Sequence, residues 1–309
     1  MGTRVRYRWV ISDSGRWEGF ELRPDDIIIS TPAKCGTTWT QMICALLVFQ
    51  TDQLPASLDR LSPWLDMLTR DRASVVADLE AQTHRRFIKT HTPYDGLPHD
   101  DRVTYICVGR DPRDVALSWD NHLANTDLVA MFTARDAAVG NEDLAELMPD
   151  GPPVLPETEI ERFWYWVDEP LPAGPRGECL AALVHHISTF WSERDQPNVL
   201  LLHYDDLQAD LDGQMRFVSA QLGIPVDEAR WPALVEAATF DRMRAAADRV
   251  APDTANQIWQ SNEQFFHRGT SGRWRTLLDD AGLERYFARV AEVAPDDIAR
   301  WLHRDTVLT

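Results

Sequence analysis

Apolar, β-branched runs bounded by turn-forming or strand-breaking residues recur at Asp26-Ile-Ile-Ile-Ser30, Arg86-Phe-Ile-Lys89, Val103-Thr-Tyr-Ile-Cys-Val108 and Asn198-Val-Leu-Leu-Leu-His203. Each is short and continuously apolar, the pattern of a strand buried on both faces. Helical periodicity fills the intervals, notably over residues 38–50, 112–122, 180–193 and 211–222, the last stopped by Gly223 and Pro225. Strand and helix therefore alternate. That order predicts an α/β fold with a central parallel sheet flanked by helices on both faces, whose ligands sit beyond the carboxyl ends of the strands.

Residues 124–178 break the rhythm with acidic and proline-rich stretches around an aromatic knot, Phe163-Trp-Tyr-Trp166. They read either as a lid or substrate-side insertion, or as a surface excursion pinned by its aromatics. Aromatic faces there would suit a bulky, apolar or cationic alcohol. No internal repeat is present, and residues 1–309 are expected to form a single domain carrying this insertion.

Composition narrows the function. With 44% apolar and 26% charged residues the chain can bury a core. Its 31 basic against 49 acidic residues give a net charge of −18, which excludes general affinity for a nucleic-acid backbone and requires any anionic ligand to find a local basic pocket. The longest uninterrupted apolar run, which ends at Phe49, is far too short to span a membrane, and no secretory pattern opens the chain, so a cytoplasmic location is expected. Cys35, Cys44, Cys107 and Cys179 lack metal-binding or disulfide spacing and read as free thiols.

Lys34 and Lys89 are the only lysines among the 31 basic residues. A compact ammonium at two strand ends, in a chain that otherwise uses arginine, points to a charge that a planar guanidinium cannot supply. Lys34 lies in Ser30-Thr-Pro-Ala-Lys-Cys-Gly-Thr-Thr-Trp39, directly after the first strand and opening a helix. Backbone donors at that helix start, the Thr37 and Thr38 hydroxyls and the lysine together suit phosphate or sulfonate oxygens, and Gly36 allows close approach. The nucleotide P-loop pattern is not met, because the lysine precedes the glycine.

In the second strand, period-two alternation puts Phe87, Lys89 and His91 on one face. His91 is the candidate general base, since its ordinary pKa lies near neutrality. Asp111 and Pro112 read as the cap and first position of a helix, which leaves Arg110 at the end of the third strand. Residues alone allow Arg110 either to bind a terminal phosphate or to pair with Asp114. His267, Arg268 and Gly269, followed by Gly272, Arg273 and Arg275, form a basic glycine-containing turn able to close over an anion.

These segments, in this order over roughly residues 25 to 278, resemble the cytosolic-type sulfotransferases, which use 3′-phosphoadenosine 5′-phosphosulfate (PAPS) as donor and have a P-loop-like fold. The resemblance runs through Lys34-Cys-Gly-Thr-Thr-Trp39, Phe87-Ile-Lys-Thr-His91, Tyr105 to Ser118, Val199 to Leu207 and Phe266 to Trp274. It implies transfer of sulfonate from PAPS to a hydroxyl of a small-molecule or lipid-like acceptor, releasing adenosine 3′,5′-bisphosphate (PAP), with no metal. It further implies catalytic roles for Lys34, Lys89 and His91. Donor binding would fall to Lys34, Cys35, Gly36, Thr37, Thr38, Trp39, Arg110, Ser118, Tyr204, Phe240, Phe266, His267, Arg268 and Gly269.

Departures from the family are Cys35 in place of a serine, His267 in place of an arginine, and the absence of its C-terminal dimer signature around Thr276, which leaves the oligomeric state open. An ATP-dependent small-molecule kinase and a non-catalytic adenylate-binding module are the alternative readings.

Overall fold

The computed structural model describes residues 4–149, 151, 154–171, 178–253, 256–266 and 269–304. Strands β1 (Ile27–Ser30), β2 (Phe87–Thr90), β3 (Thr104–Gly109) and β4 (Val199–His203) each begin one residue inside the run that predicts them. They form one parallel sheet in the order β2-β1-β3-β4. The chain leaves β1 for β2 on one side and then crosses to β3 on the other. The carboxyl ends of β1 and β3 thus flank the switch point where an α/β sheet opens its crevice.

Two cores cover the sheet, sorted by the period of two along each strand. Ile28, Ile88, Tyr105, Cys107 and Val199 pack under the helices Pro112–Ala124, Glu159–Asp168, Leu180–Trp191 and Asp280–Val293. Ile27, Ile29, Phe87, Ile106, Val108, Leu200 and Leu202 pack under Thr37–Phe49, Leu211–Gln221 and Trp231–Ala237. At the opposite end of the sheet from the crevice, Arg86 forms a fully buried ion pair with Asp26, fixing β2 against β1. Such a pair constrains register even where its net contribution to stability is small.

Residues 124–178 carry secondary structure of their own. They contain the helices Leu128–Val139, Leu144–Leu147 and Glu159–Asp168, the last held at its start by a Thr158–Glu161 capping box. Of the aromatic knot, Phe163 and Trp166 are buried in the main core, so these two rings are packing residues and not a surface for an acceptor. Among the described residues no helix is long and apolar enough to cross a membrane.

Candidate active site

Beyond Ser30 the chain turns through two left-handed residues, Lys34 (φ 64°) and Gly36 (φ 98°). Gly36 is required: its backbone lies where L side chains are strained, and a Cβ would come within 3.1 Å of the Tyr204 ring. The helix Thr37–Phe49 follows with no side-chain cap, so the N–H groups of its first turn stay open to an anion. The Thr37 hydroxyl is buried and pairs with that of Thr31 at 2.6 Å, while Thr38 is half-exposed. Cys35 turns inward: its side chain joins the core, its N–H donates to the Pro32 carbonyl (3.3 Å), and burial pushes its thiol pKa up.

Arg110 follows β3 and reaches back to this loop. Its Nη1 donates to the Lys34 carbonyl (3.0 Å), its guanidinium lies 4.1 Å over the Tyr204 ring, and its Nε is buried without a partner among the described residues. A buried donor left over beside an anion loop fits an incoming phosphate oxygen. The alternative pairing with Asp114 is not formed. Asp114 accepts instead from the Gly272 N–H (2.8 Å), and burial raises it to about 6. Gly269 turns at φ 64° against the face of Phe240, and its carbonyl accepts from Gln208 (2.6 Å). Asp114 and Gln208 thereby tie the glycine-containing turn to the body. Phe266 is buried edge-on to Phe240 (6.3 Å), whereas His267 and Arg268 lie outside the described residues. Trp39 donates its indole N–H to Ala238 (2.8 Å) and meets Tyr204 edge-on (5.3 Å); Ser118 is half-buried on the helix after Arg110.

Lys89 and His91 meet around a residue that the sequence pattern does not single out. Lys89 Nζ lies 4.2 Å over the ring of Trp64, and the His91 ring meets the same indole edge-on at 4.8 Å. His91 Nδ1 is 2.7 Å from the Thr31 carbonyl. A carbonyl only accepts, so Nδ1 carries the hydrogen and Nε2 keeps its lone pair. The backbone on either side of His91 is fixed by one buried carboxylate: Asp66 Oδ2 accepts from Thr90 (2.6 Å), Thr92 (2.5 Å) and the indole of Trp17 (3.1 Å).

The charges at this centre are tuned by burial and by one another. Burial first, then Arg110 and Lys89, lower Lys34 to about 7. Lys89 falls to about 8 through burial, which Asp253, Asp66 and Asp59 partly offset. Burial and then the Lys89 charge hold His91 well below its ordinary value, so the ring is neutral and able to accept a proton. The structure thus brings Lys34, Lys89 and His91 into mutual electrostatic range.

Sequence reasoning misses Asp66, Trp64 and His122. His122, from the last turn of the helix Pro112–Ala124, has Nδ1 3.4 Å from Lys34 Nζ. A signal for it existed, since Ser118 and His122 are four residues apart on one helix face. For Asp66 and Trp64 none did, because they stand in an irregular segment whose placement depends on tertiary packing.

Comparison with known proteins places the chain in a family. The family described as "Sulfotransferase domain" matches residues 24–296. A "Glycolipid sulfotransferase" of Mycobacterium bovis (strain BCG) is 43% identical, the match covering 98% of this chain and 95% of that one. An "Amine sulfotransferase" of Oryctolagus cuniculus is 25% identical over 87% of this chain and 80% of its own. Among solved structures, retinol dehydratase in complex with androsterone and PAP superposes with a TM-score of 0.67 at 21% identity, covering 92% of this chain and 87% of that one. A mouse sulfotransferase complexed with PAP gives 0.67 at 19%, covering 94% and 93%. The strand-end lysines, the glycine-opened helix and the imidazole beside them therefore sit in a chain that belongs to the sulfotransferase family.

Proposed function

We propose that this enzyme transfers the sulfonate of PAPS to a hydroxyl of a lipid-like acceptor, with His91 as general base. The observation that carries the reading is the geometry of His91: its Nδ1 is turned to the Thr31 carbonyl, which leaves Nε2 for a proton, and its ring shares the Trp64 indole with Lys89. The relatives add support. Two of the similar structures are complexes with PAP, and the relative at 43% identity is named for glycolipids.

In this scheme the open N–H groups at the Thr37 helix start, with Thr37, Thr38 and Gly36, hold the 5′-phosphosulfate. Arg110, through its spare Nε, binds the 3′-phosphate together with Ser118 and the turn containing His267, Arg268 and Gly269. Trp39, Tyr204, Phe240 and Phe266 enclose the base. His91 Nε2 takes the acceptor's hydroxyl proton as its oxygen bonds to sulfur, while the bond from sulfur to the bridging phosphate oxygen breaks and PAP departs. Lys34 neutralises charge on the departing oxygen and Lys89 that on the sulfonate, both in a site where water screens little. The segment 124–178 contributes to the acceptor side, because Met131 packs with Met67, Ile258, Trp64 and Trp259, and Trp64 touches both Lys89 and His91.

The test is a mass-spectrometric screen of glycolipids, sterols, phenols and amino alcohols with PAPS, in which a substrate gains one sulfonate. Failure of every acceptor, together with ATP- and Mg²⁺-dependent phosphorylation of any of them, would replace this reading with the kinase one.

A further inference from the structure

The scheme above gives His122 no task, yet this is the side chain that meets Lys34. We infer that His122 is a positioning residue for Lys34: its ring accepts a hydrogen bond from the ammonium and holds that cation in place at the mouth of the donor loop. The inference rests on the sulfonate-transfer reading for what Lys34 itself does.

Lys34 Nζ and His122 Nδ1 are 3.4 Å apart. An ammonium can only donate, so Nδ1 is bare and the ring hydrogen sits on Nε2. Among the described residues Lys34 has no carboxylate within ion-pair distance and no other hydrogen-bond acceptor; its remaining contact is the face of Phe265, 4.7 Å away. The charged and titratable groups facing the pair are Arg110 after β3, Lys89 and His91 at the end of β2, and Cys35 in the loop itself. Burial first, then the Lys34 and Lys89 charges, hold the imidazole well below its ordinary value and so keep it neutral.

The ring has little freedom to turn. It stacks on Trp119 (5.0 Å, 24°) and is flanked by Trp259 (4.8 Å) and Phe265 (6.1 Å). The chemistry of the choice is informative. A carboxylate at this position would hold Lys34 more strongly but would cancel the charge that a departing oxygen needs. A neutral imidazole fixes the ammonium and leaves its full charge available.

A chain with only two lysines permits a direct test. Protein labelled with ¹³C-lysine gives two side-chain Cε signals, assigned with Lys89→Arg, and their titration reads each ammonium. His122→Phe keeps the aromatic packing and removes the acceptor. The Lys34 midpoint then falls by about one pH unit, the scale of one hydrogen bond to a charged group, with Lys89 as internal reference. The alkaline limb of kcat/KM for PAPS moves down with it, so that at pH 8 this constant drops roughly tenfold. His122→Gln, which can still accept, restores both. An unmoved Lys34 midpoint in His122→Phe overturns the inference, as does a Gln variant that behaves like Phe. If His122→Phe does not fold, ¹⁵N-histidine spectra of the unaltered protein decide: Nδ1 found protonated is fatal, Nδ1 bare is the expected result. Should Lys34→Ala itself retain turnover, the fault lies in the sulfonate-transfer reading and not in the role of His122.

Discussion

The two halves of the site are built by different means. The half proposed to hold the donor is largely backbone: a left-handed turn, an uncapped helix start and a strand-end arginine, all within a few residues of β1 or β3. The half proposed to hold the acceptor is side chains from scattered segments, with Trp64, Met67, Met131, Ile258 and Trp259 packed into a small separate apolar cluster. A half made of local backbone geometry tolerates few substitutions, because its donors cannot be supplied from elsewhere. A half made of interchangeable apolar surfaces can be re-shaped, which suits the part of a transferase that chooses the acceptor.

That contrast can be broken or sharpened by measurement. The largest effects belong where the halves meet. Lys34→Ala and His91→Ala should each lower kcat by roughly a hundredfold or more, about 3 kcal/mol of lost charge stabilisation or proton transfer. PAP affinity, measured by calorimetry, should fall only in the lysine variant. Equal loss of PAP affinity in both would erase the division into halves.

Next is Gly36→Ala, which forces an L side chain into φ 98° and against Tyr204. The strain, about 1–2 kcal/mol, should weaken PAP binding about tenfold while acceptor KM changes little. Trp64→Leu should do the reverse, raising acceptor KM severalfold with PAP affinity within about twofold, a change on the scale of one lost aromatic contact. A Trp64 variant that bound PAP poorly would move this residue into the donor half.

The smallest effect is a count of protons. Lys34 and Lys89 titrate near 7 and 8 in the free protein, so at pH 8 Lys34 is mostly neutral and Lys89 about half so. An anionic ligand favours the charged forms, so PAP binding at pH 8 should take up a fraction of a proton to about one, read as buffer-dependent heat, and almost none at pH 6. The sign for stability is the opposite of an ion pair's. Both pKa values are depressed on folding, so between about 7 and 10.5 the unfolded chain binds more protons and the free protein gains stability from these lysines as pH rises. Lys34→Met should accordingly raise Tm at pH 6.

What could be read in advance followed the same division. All four strands and the helices at 37–49, 112–124, 180–191 and 211–221 were visible as apolar period and breakers, within one to two residues at most ends. The donor loop was visible because its chemistry is contiguous. Within the insertion the helices Leu128–Val139 and Glu159–Asp168 were not legible, since proline and acidic residues mask them, and an aromatic run gives no sign of which rings face a core. Arg110 stood equally for a phosphate ligand or an Asp114 partner until the Gly272 N–H was found to occupy that carboxylate.

By itself, then, the sequence determined the parallel sheet, the crevice and the cations at its rim, because strand period, helix starts and glycine conformation are local properties of a few neighbouring residues. Only the tertiary structure decided that Asp66 clamps both sides of His91, that Trp64 bridges Lys89 and His91, and that His122 meets Lys34. Those contacts join residues 24 to 88 positions apart in the chain, and what brings them together is the packing of whole elements, which no local pattern encodes.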